Sequence, residues 1–168
     1  MNIRAWCFTC VLAYLKSLRA QPKSETLVLK SLPECSYSAS SSLNETTQPH
    51  HSRLLDRSST GWFSAVLDTN DINEWIQVDF IHPKIIREFQ LASIDDRYAY
   101  IQAYKFSVSL DGDVFSEYPE SSRYVLGGSS KRRLLFDKLI FCRIFKLISL
   151  TAVTHIAVRW EFILADSK

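Results

Sequence analysis

Hydrophobic and polar residues alternate along two stretches in the middle of the chain. In Trp75–Phe80, the apolar residues Ile76, Val78 and Phe80 fall on one face. In Tyr104–Leu110, every second residue is again apolar and the residues between are Lys or Ser. A period of two is that of a β-strand with one buried face. Both stretches are therefore predicted to be strands.

Other strands are predicted from shorter apolar runs. They lie at Ile85–Ala92, Leu134–Phe136, Phe141–Leu150 and Thr154–Leu164. We expect His82-Pro83 to stop the first strand, because proline cannot donate a hydrogen bond to a ladder. Asp111-Gly112 predicts a hairpin turn. With no convincing helix beyond the amino terminus, this pattern predicts an all-β sandwich or barrel.

Composition places the chain among ordinary globular proteins. Of its 168 residues, 46% are hydrophobic and 23% are charged, which suits one domain with flanking segments. A domain of this size can bury a core without metals or many disulfides. The formal net charge of +2 is too small to indicate a nucleic-acid partner.

The amino terminus is typical of a secretory signal. Arg4 precedes the apolar run Ala5–Leu15, which is too short to span a membrane. We expect a signal peptide over residues 1–20, with a buried amphipathic helix as the alternative, and a polar linker over residues 21–34. The predicted product is secreted or lies on the extracellular face of the cell surface.

Two further features bear on the secretory route. Asn44-Glu45-Thr46 is an N-glycosylation sequon, so Asn44 is a predicted glycosylation site. Without the signal peptide the chain keeps Cys35 and Cys142, which form neither a disulfide framework nor a metal-ligand spacing.

Six stretches of the chain, in order, carry a family resemblance. They are Cys35 with Tyr37–Ser42, Arg53-Leu54 with Gly61-Trp62, Glu74–Phe80, Tyr104–Gly112, Arg143–Leu147 and Ile156–Phe162. Together they resemble the discoidin domain, also called the coagulation factor V/VIII type C (F5/8 type C) domain. The resemblance implies a jelly-roll β-sandwich of the galactose-binding type, with about eight strands, over residues 35–165. More narrowly, Ser40–Trp62 resembles the amino-terminal discoidin domain of neurexin IV and the contactin-associated proteins.

The chain departs from the family pattern at two places. The family closes with Gly-Cys, whose cysteine bridges the opening one, but Leu164-Ala165 stand there instead. Cys35 therefore lacks its usual partner, and Cys142 is a poor substitute because it lies within a predicted strand. The pairing of both cysteines stays open. Phe115 stands where the family commonly has Trp.

The resemblance also implies where a ligand binds. In discoidin domains, loops at one end of the sandwich contact the ligand, and the loop Ser93–Ile101 falls at that place. The candidate ligand-binding residues are Asp95, Asp96, Arg97, Tyr98 and Tyr100. Charge of both signs beside aromatic surface is typical of recognition sites. The alternative is a solvated hairpin tip.

Other polar residues give weaker signals. Asp95 and Asp96 have no nucleophile or histidine beside them, so no enzyme is predicted. His50 and His51 are expected to be exposed loop residues, and no metal or cofactor is predicted. Lys131-Arg132-Arg133 falls in a predicted loop, which either attracts anionic lipid or heparan sulfate or is a solvated turn.

Five residues are predicted to be structural: Trp62, Trp75, Asp79, Arg159 and Glu161. Burying Arg159 and Glu161 on one strand requires pairing, so we expect Arg159 to belong to an ion pair.

The leading function is non-catalytic adhesion or recognition of a cell-surface or matrix protein or glycoprotein. The alternatives are binding to anionic phospholipid and binding to glycans. Against lipid, the first loop, Leu43–Ser52, has only Leu43 as an apolar residue.

Overall fold

Eight antiparallel strands form the protein in a computed structural model that describes residues 28–54, 60–70, 73–94, 99–118, 124–125 and 132–165. The strands are β1 (Tyr37–Ala39), β2 (Trp62–Phe63), β3 (Trp75–Ala92), β4 (Tyr100–Ser109), β5 (Ser116–Tyr118), β6 (Tyr124–Val125), β7 (Arg132–Val153) and β8 (Ala157–Leu164). The helices among these residues are short 3-10 turns at Leu29–Ser31, Glu34–Ser36, Glu45–Thr47 and Pro49–Ser52. The all-β prediction is confirmed.

The strands form two layers, and two long strands belong to both. In the first layer, β1 pairs with residues 76–78 of β3. Residues 75–79 of β3 pair with residues 144–148 of β7, and β4 follows with β5 and β6. In the second layer, β8 lies between β2 and residues 86–92 of β3, which also pair with the start of β7. Both β3 and β7 therefore cross from one layer to the other.

The crossing of β3 corrects the expectation that His82-Pro83 would end a strand. The strand bends instead: its pairing with β7 breaks between Asp79 and Lys84, and Ile81 has a φ of 68°. The amide of Ile81 donates to Asp79 Oδ1 over 2.7 Å. Since Pro83 lies where the ladder is already interrupted, its missing N–H removes no ladder bond. Likewise, the two strands predicted within 134–150 are parts of the single strand β7.

An ion pair joins the two bends. Arg143 donates from Nε to Asp79 Oδ1 over 3.0 Å and from Nη2 to Oδ2 over 2.6 Å. These bonds hold the pKa of the Asp79 carboxyl below its ordinary value and raise that of the arginine. A two-bond arginine–carboxylate contact fixes direction as well as distance. Asp79, predicted to be structural, thus ties β3 to β7 where both cross.

The core lies between the two layers and is mainly aromatic. Ile76, Val78 and Phe80 are buried, as the alternation predicted. Ring contacts bridge the layers: Phe89 of β3 lies 4.9 Å from Phe106 of β4, and Phe145 of β7 lies 4.8 Å from Phe162 of β8, between ring centroids. Edge-to-face packing of this kind adds about 0.5–1.5 kcal/mol per pair beyond burial.

The Lys131-Arg132-Arg133 stretch was expected to be a loop, but a strand begins within it, and Arg133 of that strand pairs with a buried carboxylate. The strand β7 begins at Arg132, and Lys131 lies outside the described residues. Arg133 donates to both oxygens of Glu88, which is 1% exposed and also accepts from Gln90. Burial alone would raise the pKa of Glu88, but these bonds lower it below its ordinary value. The Nε and Nη2 groups of Arg133 are therefore both bonded to a buried carboxylate of the fold.

The segment before β1 packs on the domain. The amides of Val28 and Leu29 donate to Glu161 Oε1, and the hydroxyl of Tyr37 donates to the carbonyl of Leu29 over 2.7 Å. Leu29 is fully buried. Burial raises the pKa of Tyr37 to about 12. The described part of the expected linker therefore lies against the fold from Val28 onward.

Both described cysteines are free thiols. Cys35 is exposed, and Cys142 is buried within β7. Burial raises the pKa of the Cys142 thiol to about 12, so its reactive thiolate form is scarce at neutral pH.

The Asp79–Arg143 pair predicts how stability depends on pH. Because folding lowers the pKa of Asp79, the pair stabilises the fold above the ordinary carboxyl pKa, and this contribution is lost as pH falls through the lowered value. Asp79→Asn should lower the free energy of unfolding at pH 7 by about 1–3 kcal/mol. The difference from the wild type should shrink below about pH 4. Urea unfolding at a series of pH values measures both quantities.

The matched control is Asp113→Asn, an exposed carboxylate in the hairpin between β4 and β5. It should change stability by less than about 0.5 kcal/mol. An Asp79→Asn deficit that stayed constant down to pH 2 would contradict the assignment.

Candidate functional site

Several loops converge at the end of the sandwich away from the two bends. There β3 ends at Ala92, and Tyr100, the first residue of β4, pairs with Val153 near the end of β7. Thr69 accepts a hydrogen bond from the amide of Ala152, and Leu43 donates to the carbonyl of Phe63. We call the described residues 43–47, 60–70, 93–94, 99 and 153–156 the loop end. The bends and the hairpin at residues 110–115 form the opposite, bend end.

The described residues that flank the predicted recognition loop lie at this loop end. The base of this loop is described: the amide of Ile94 donates to the carbonyl of Ala99 over 3.3 Å. Tyr100 is half-buried at the start of β4. The other candidates, Asp95, Asp96, Arg97 and Tyr98, lie outside the described residues. Their role in binding stays a prediction.

Close packing fixes the base of that loop. Gly61 has a φ of 88°, and a Cβ on it would lie 2.3 Å from Ile94 Cδ1 and 3.1 Å from Arg159 Cγ. Both its backbone conformation and its contacts therefore require glycine. Gly61 thus lies directly against Ile94 at the base of the loop. The next residue, Trp62, is fully buried and donates from its indole to the carbonyl of Ser41.

Arg159 lies at the same base, and its contacts differ from the expectation. Its Nη2 donates to the carbonyl of Ser93 over 3.4 Å. Within the described part of the chain it makes no ion pair with Glu161, whose Oε1 instead accepts from the backbone amides of Val28, Leu29 and Phe162. The Nε of Arg159 is buried and has no hydrogen-bond partner in that part of the chain. Arg159 therefore has one buried donor without a partner among the described residues, beside the base of the recognition loop.

The first loop is more ordered than a polar composition suggests. Two 3-10 turns, Glu45–Thr47 and Pro49–Ser52, follow Asn44. The exposed Asn44 caps the first turn, since its Oδ1 accepts from the amide and the hydroxyl of Thr46. The rings of His50 and His51 lie 4.1 Å apart and both residues are half-buried, so they are less exposed than expected.

Among the described residues of the loop end, two leucines are the exposed large apolar side chains. Leu43 is 47% exposed and Leu67 is 68% exposed. The sequence interpretation noticed Leu43 but missed Leu67, because a single leucine in a polar stretch carries no periodic signal.

Behind the loop end, a cluster of serines surrounds Glu74. Its Oε2 accepts from the hydroxyls of Ser40, Ser41 and Ser64 over 2.9, 2.7 and 2.5 Å. Glu74 is 5% exposed, so the three hydroxyls replace the water that an ionised carboxylate needs. These bonds join the Ser-rich stretch to the loop after β2. The sequence interpretation missed this cluster, whose members lie up to 34 residues apart.

Trp75 contacts a lysine on the outer face of the first layer. The Nζ of Lys146 lies 4.5 Å from the ring centroid of Trp75 and 4.0 Å from that of Phe115. Burial lowers the pKa of Lys146. Phe115 thus supplies one of the two aromatic faces that hold this cation.

The described residues contain no group of three or more His, Cys, Asp or Glu placed to hold a metal ion. No helix in the described part of the chain is long and apolar enough to cross a membrane.

Known proteins share this architecture. Residues 36–162 match the model of the F5/8 type C domain. Wild-type discoidin II from Dictyostelium discoideum superposes with a TM-score of 0.73 at 22% identity, over 89% of this chain. This chain spans only 61% of discoidin II. No curated protein matches the sequence.

Two Clostridium perfringens modules also superpose. CpGH89CBM32-5, solved with GalNAc-β-1,3-galactose, has a TM-score of 0.65 and 17% identity, covering 83% of this chain and 100% of its own. The family 32 module of NanJ, solved with galactose, has a TM-score of 0.64 and 13% identity, covering 83% and 98%. The family match spans most of the chain and agrees with the fold, so the chain belongs to the F5/8 type C, or discoidin, domain family.

Proposed function

We propose that this chain is a non-catalytic binding module that recognises the carbohydrate of a cell-surface or matrix glycoprotein through its loop end. Domains of the F5/8 type C family are binding modules. The observation that carries the proposal is the geometry of the loop base. Gly61, Ile94 and Arg159 pack together there, and the Nε of Arg159 has no partner among the described residues.

The residue types in the recognition loop suit a sugar. Carboxylates and guanidinium groups such as those of Asp95 and Arg97 make directional bonds to hydroxyls. Tyrosine rings offer rigid, flat apolar surface with a polar edge, which matches the faces of a pyranose. Two structures with the same fold hold galactose or a galactose-containing disaccharide. These relatives support the ligand class but not a particular sugar.

A second candidate is binding to anionic phospholipid. Leu43 and Leu67 are exposed at the loop end, where apolar side chains are placed to enter a bilayer surface. Two leucines bury little apolar area, and the basic Arg133 is already paired with Glu88. We therefore rank lipid below carbohydrate.

We also propose an extracellular location, with adhesion as the biological role. The apolar run after Arg4 and the sequon support it. The Nδ2 of Asn44 has no hydrogen-bond partner among the described residues, while its Oδ1 accepts from the Thr46 hydroxyl, so the amide nitrogen is free for attachment.

Expression in secretory cells should yield a product in the medium with an N-glycan at Asn44. Mass spectrometry before and after enzymatic glycan removal measures this. Thr46→Ala should abolish the glycan, since it removes the sequon hydroxyl. An intracellular, unglycosylated product that retains residues 1–20 would contradict the extracellular proposal.

Arg97→Ala combined with Tyr98→Ala should weaken binding to galactose-terminated glycans by about 1–4 kcal/mol, because both side chains belong to the predicted contact surface. Thermal stability should change by less than about 0.5 kcal/mol. A glycan array followed by titration calorimetry measures affinity, and thermal melting measures stability. The matched control is His82→Ala, an exposed residue at the bend of β3 and so at the end opposite the loop end.

Normal glycan binding by the Arg97/Tyr98 variant would place the site elsewhere. Vesicles of phosphatidylserine and phosphatidylcholine form the other arm of the experiment. Sedimentation with these vesicles that is lost in Leu67→Gln, together with a blank glycan array, would favour the lipid candidate instead.

A further inference from the structure

Exposed apolar side chains are distributed unevenly over the protein. Among the residues that the structure describes, Leu43 and Leu67 lie at the loop end, and the other large ones lie on β3, β7 and the β4–β5 hairpin: Ile81, Ile85, Leu110, Val114, Leu135, Leu139 and Phe141. Single exposed apolar residues are ordinary on protein surfaces. A contiguous group requires an explanation.

Five of these residues form one surface at the bend end. Ile85 and Phe141 are direct cross-strand partners, and Leu139 lies two residues before Phe141 on the same strand. Phe141, Leu110 and Val114 line a single groove of about 290 Å³. We call Ile85, Leu110, Val114, Leu139 and Phe141 the bend-end patch. Val114 is 69% exposed and Phe141 is 58% exposed.

The hairpin that presents part of this patch is held in place. Asp111 Oδ1 accepts from the amides of Asp113 and Val114 over 2.9 and 3.0 Å and from the hydroxyl of Ser109. These bonds lower the pKa of Asp111, so its carboxylate remains charged. Gly112, with a φ of 97°, completes the turn. The fold therefore keeps Val114 exposed in a fixed position.

Opposite charges flank the patch. On the hairpin side lie Asp111 and Asp113, with no Lys or Arg from residue 109 to residue 116. On the strand side lie Lys84 and the exposed Lys138, with Asp137 next to it. A surface with an apolar centre, an acidic rim and a basic rim is complementary to itself under a two-fold rotation. Each acidic hairpin would then meet the basic rim of the other molecule.

From this arrangement we propose that the bend-end patch binds a second copy of this chain and forms a two-fold symmetric dimer. The occupant is a second copy because the charges complement themselves across the apolar centre. The patch lies at the end opposite the loop end, so both loop ends of the dimer stay exposed. Two linked sites raise the apparent affinity for a surface that carries many copies of a ligand.

Sedimentation equilibrium of the full 168-residue chain at several concentrations tests the proposal. The wild type should show a reversible monomer–dimer equilibrium. Phe141→Glu and Val114→Glu should each raise the dimer dissociation constant at least about 30-fold, as expected for a buried contact at the centre of an interface. Leu67→Glu, an exposed leucine at the loop end, is the control and should leave the equilibrium unchanged.

Charge reversal tests the two-fold arrangement. Asp113→Lys should weaken the dimer, and adding Lys138→Asp should recover most of the loss, because the rims exchange signs. The wild-type dimer should also weaken with added salt.

Several outcomes would overturn the proposal. They are a wild type that stays monomeric up to its solubility limit, a dimer that neither glutamate variant weakens, and assembly beyond the dimer. Recovery that fails in the double charge variant would also overturn it. Melting temperatures of all variants show whether a lost dimer reflects a lost fold. Since the proposal does not use the loop end, glycan binding by a monomeric wild type would reject it without affecting the proposed function.

Discussion

The fold depends on the ion pair between Asp79 and Arg143, because it lies where the two longest strands change layers. Both β3 and β7 begin in one layer and end in the other. Ile81 adopts an uncommon positive φ at the bend of β3, which costs about 1–2 kcal/mol for a residue with a side chain. The carboxylate of Asp79 offsets this cost by accepting from the Ile81 amide and from both Nε and Nη2 of Arg143.

Placing both bends at one end leaves the other end for loops. At the loop end, β3, β4, β7 and β8 each place a buried residue close to the loops, namely Leu91, Ile101, Ala152 and Trp160. Gly61, just before β2, packs against Ile94, and Arg159 of β8 donates to the carbonyl of Ser93. Both residues therefore contact the base of the recognition loop. The buried carboxylates of Glu74, Glu88 and Glu161 thus serve the packing of the strands, whereas the residues proposed for recognition fall between β3 and β4 in the sequence.

Local alternation predicted the strands well but not their continuity. The periodicity of Trp75–Phe80 correctly assigned the buried face, since Ile76, Val78 and Phe80 all enter the core. Pro83 suggested an end because sequence rules assume an uninterrupted ladder, whereas the ladder is broken there by a bend. The pairing of Arg133 with Glu88 escaped prediction because it joins residues 45 positions apart. The same limit applies to Glu74, whose hydroxyl partners come from two separate stretches. For the recognition loop, only its base is described, so its contacts remain a proposal.

We propose that the ligand binds at the loop end, and that the sheet faces and the bend end hold these loops in place. The most direct measurement is the change in backbone amide NMR shifts on titration with a galactose-terminated oligosaccharide. We predict that the largest shifts cluster at residues 60–61, 93–101 and 153–155. Shifts centred on the hairpin at residues 110–115, or on the groove lined by Tyr37, Ser38 and His50, would contradict it.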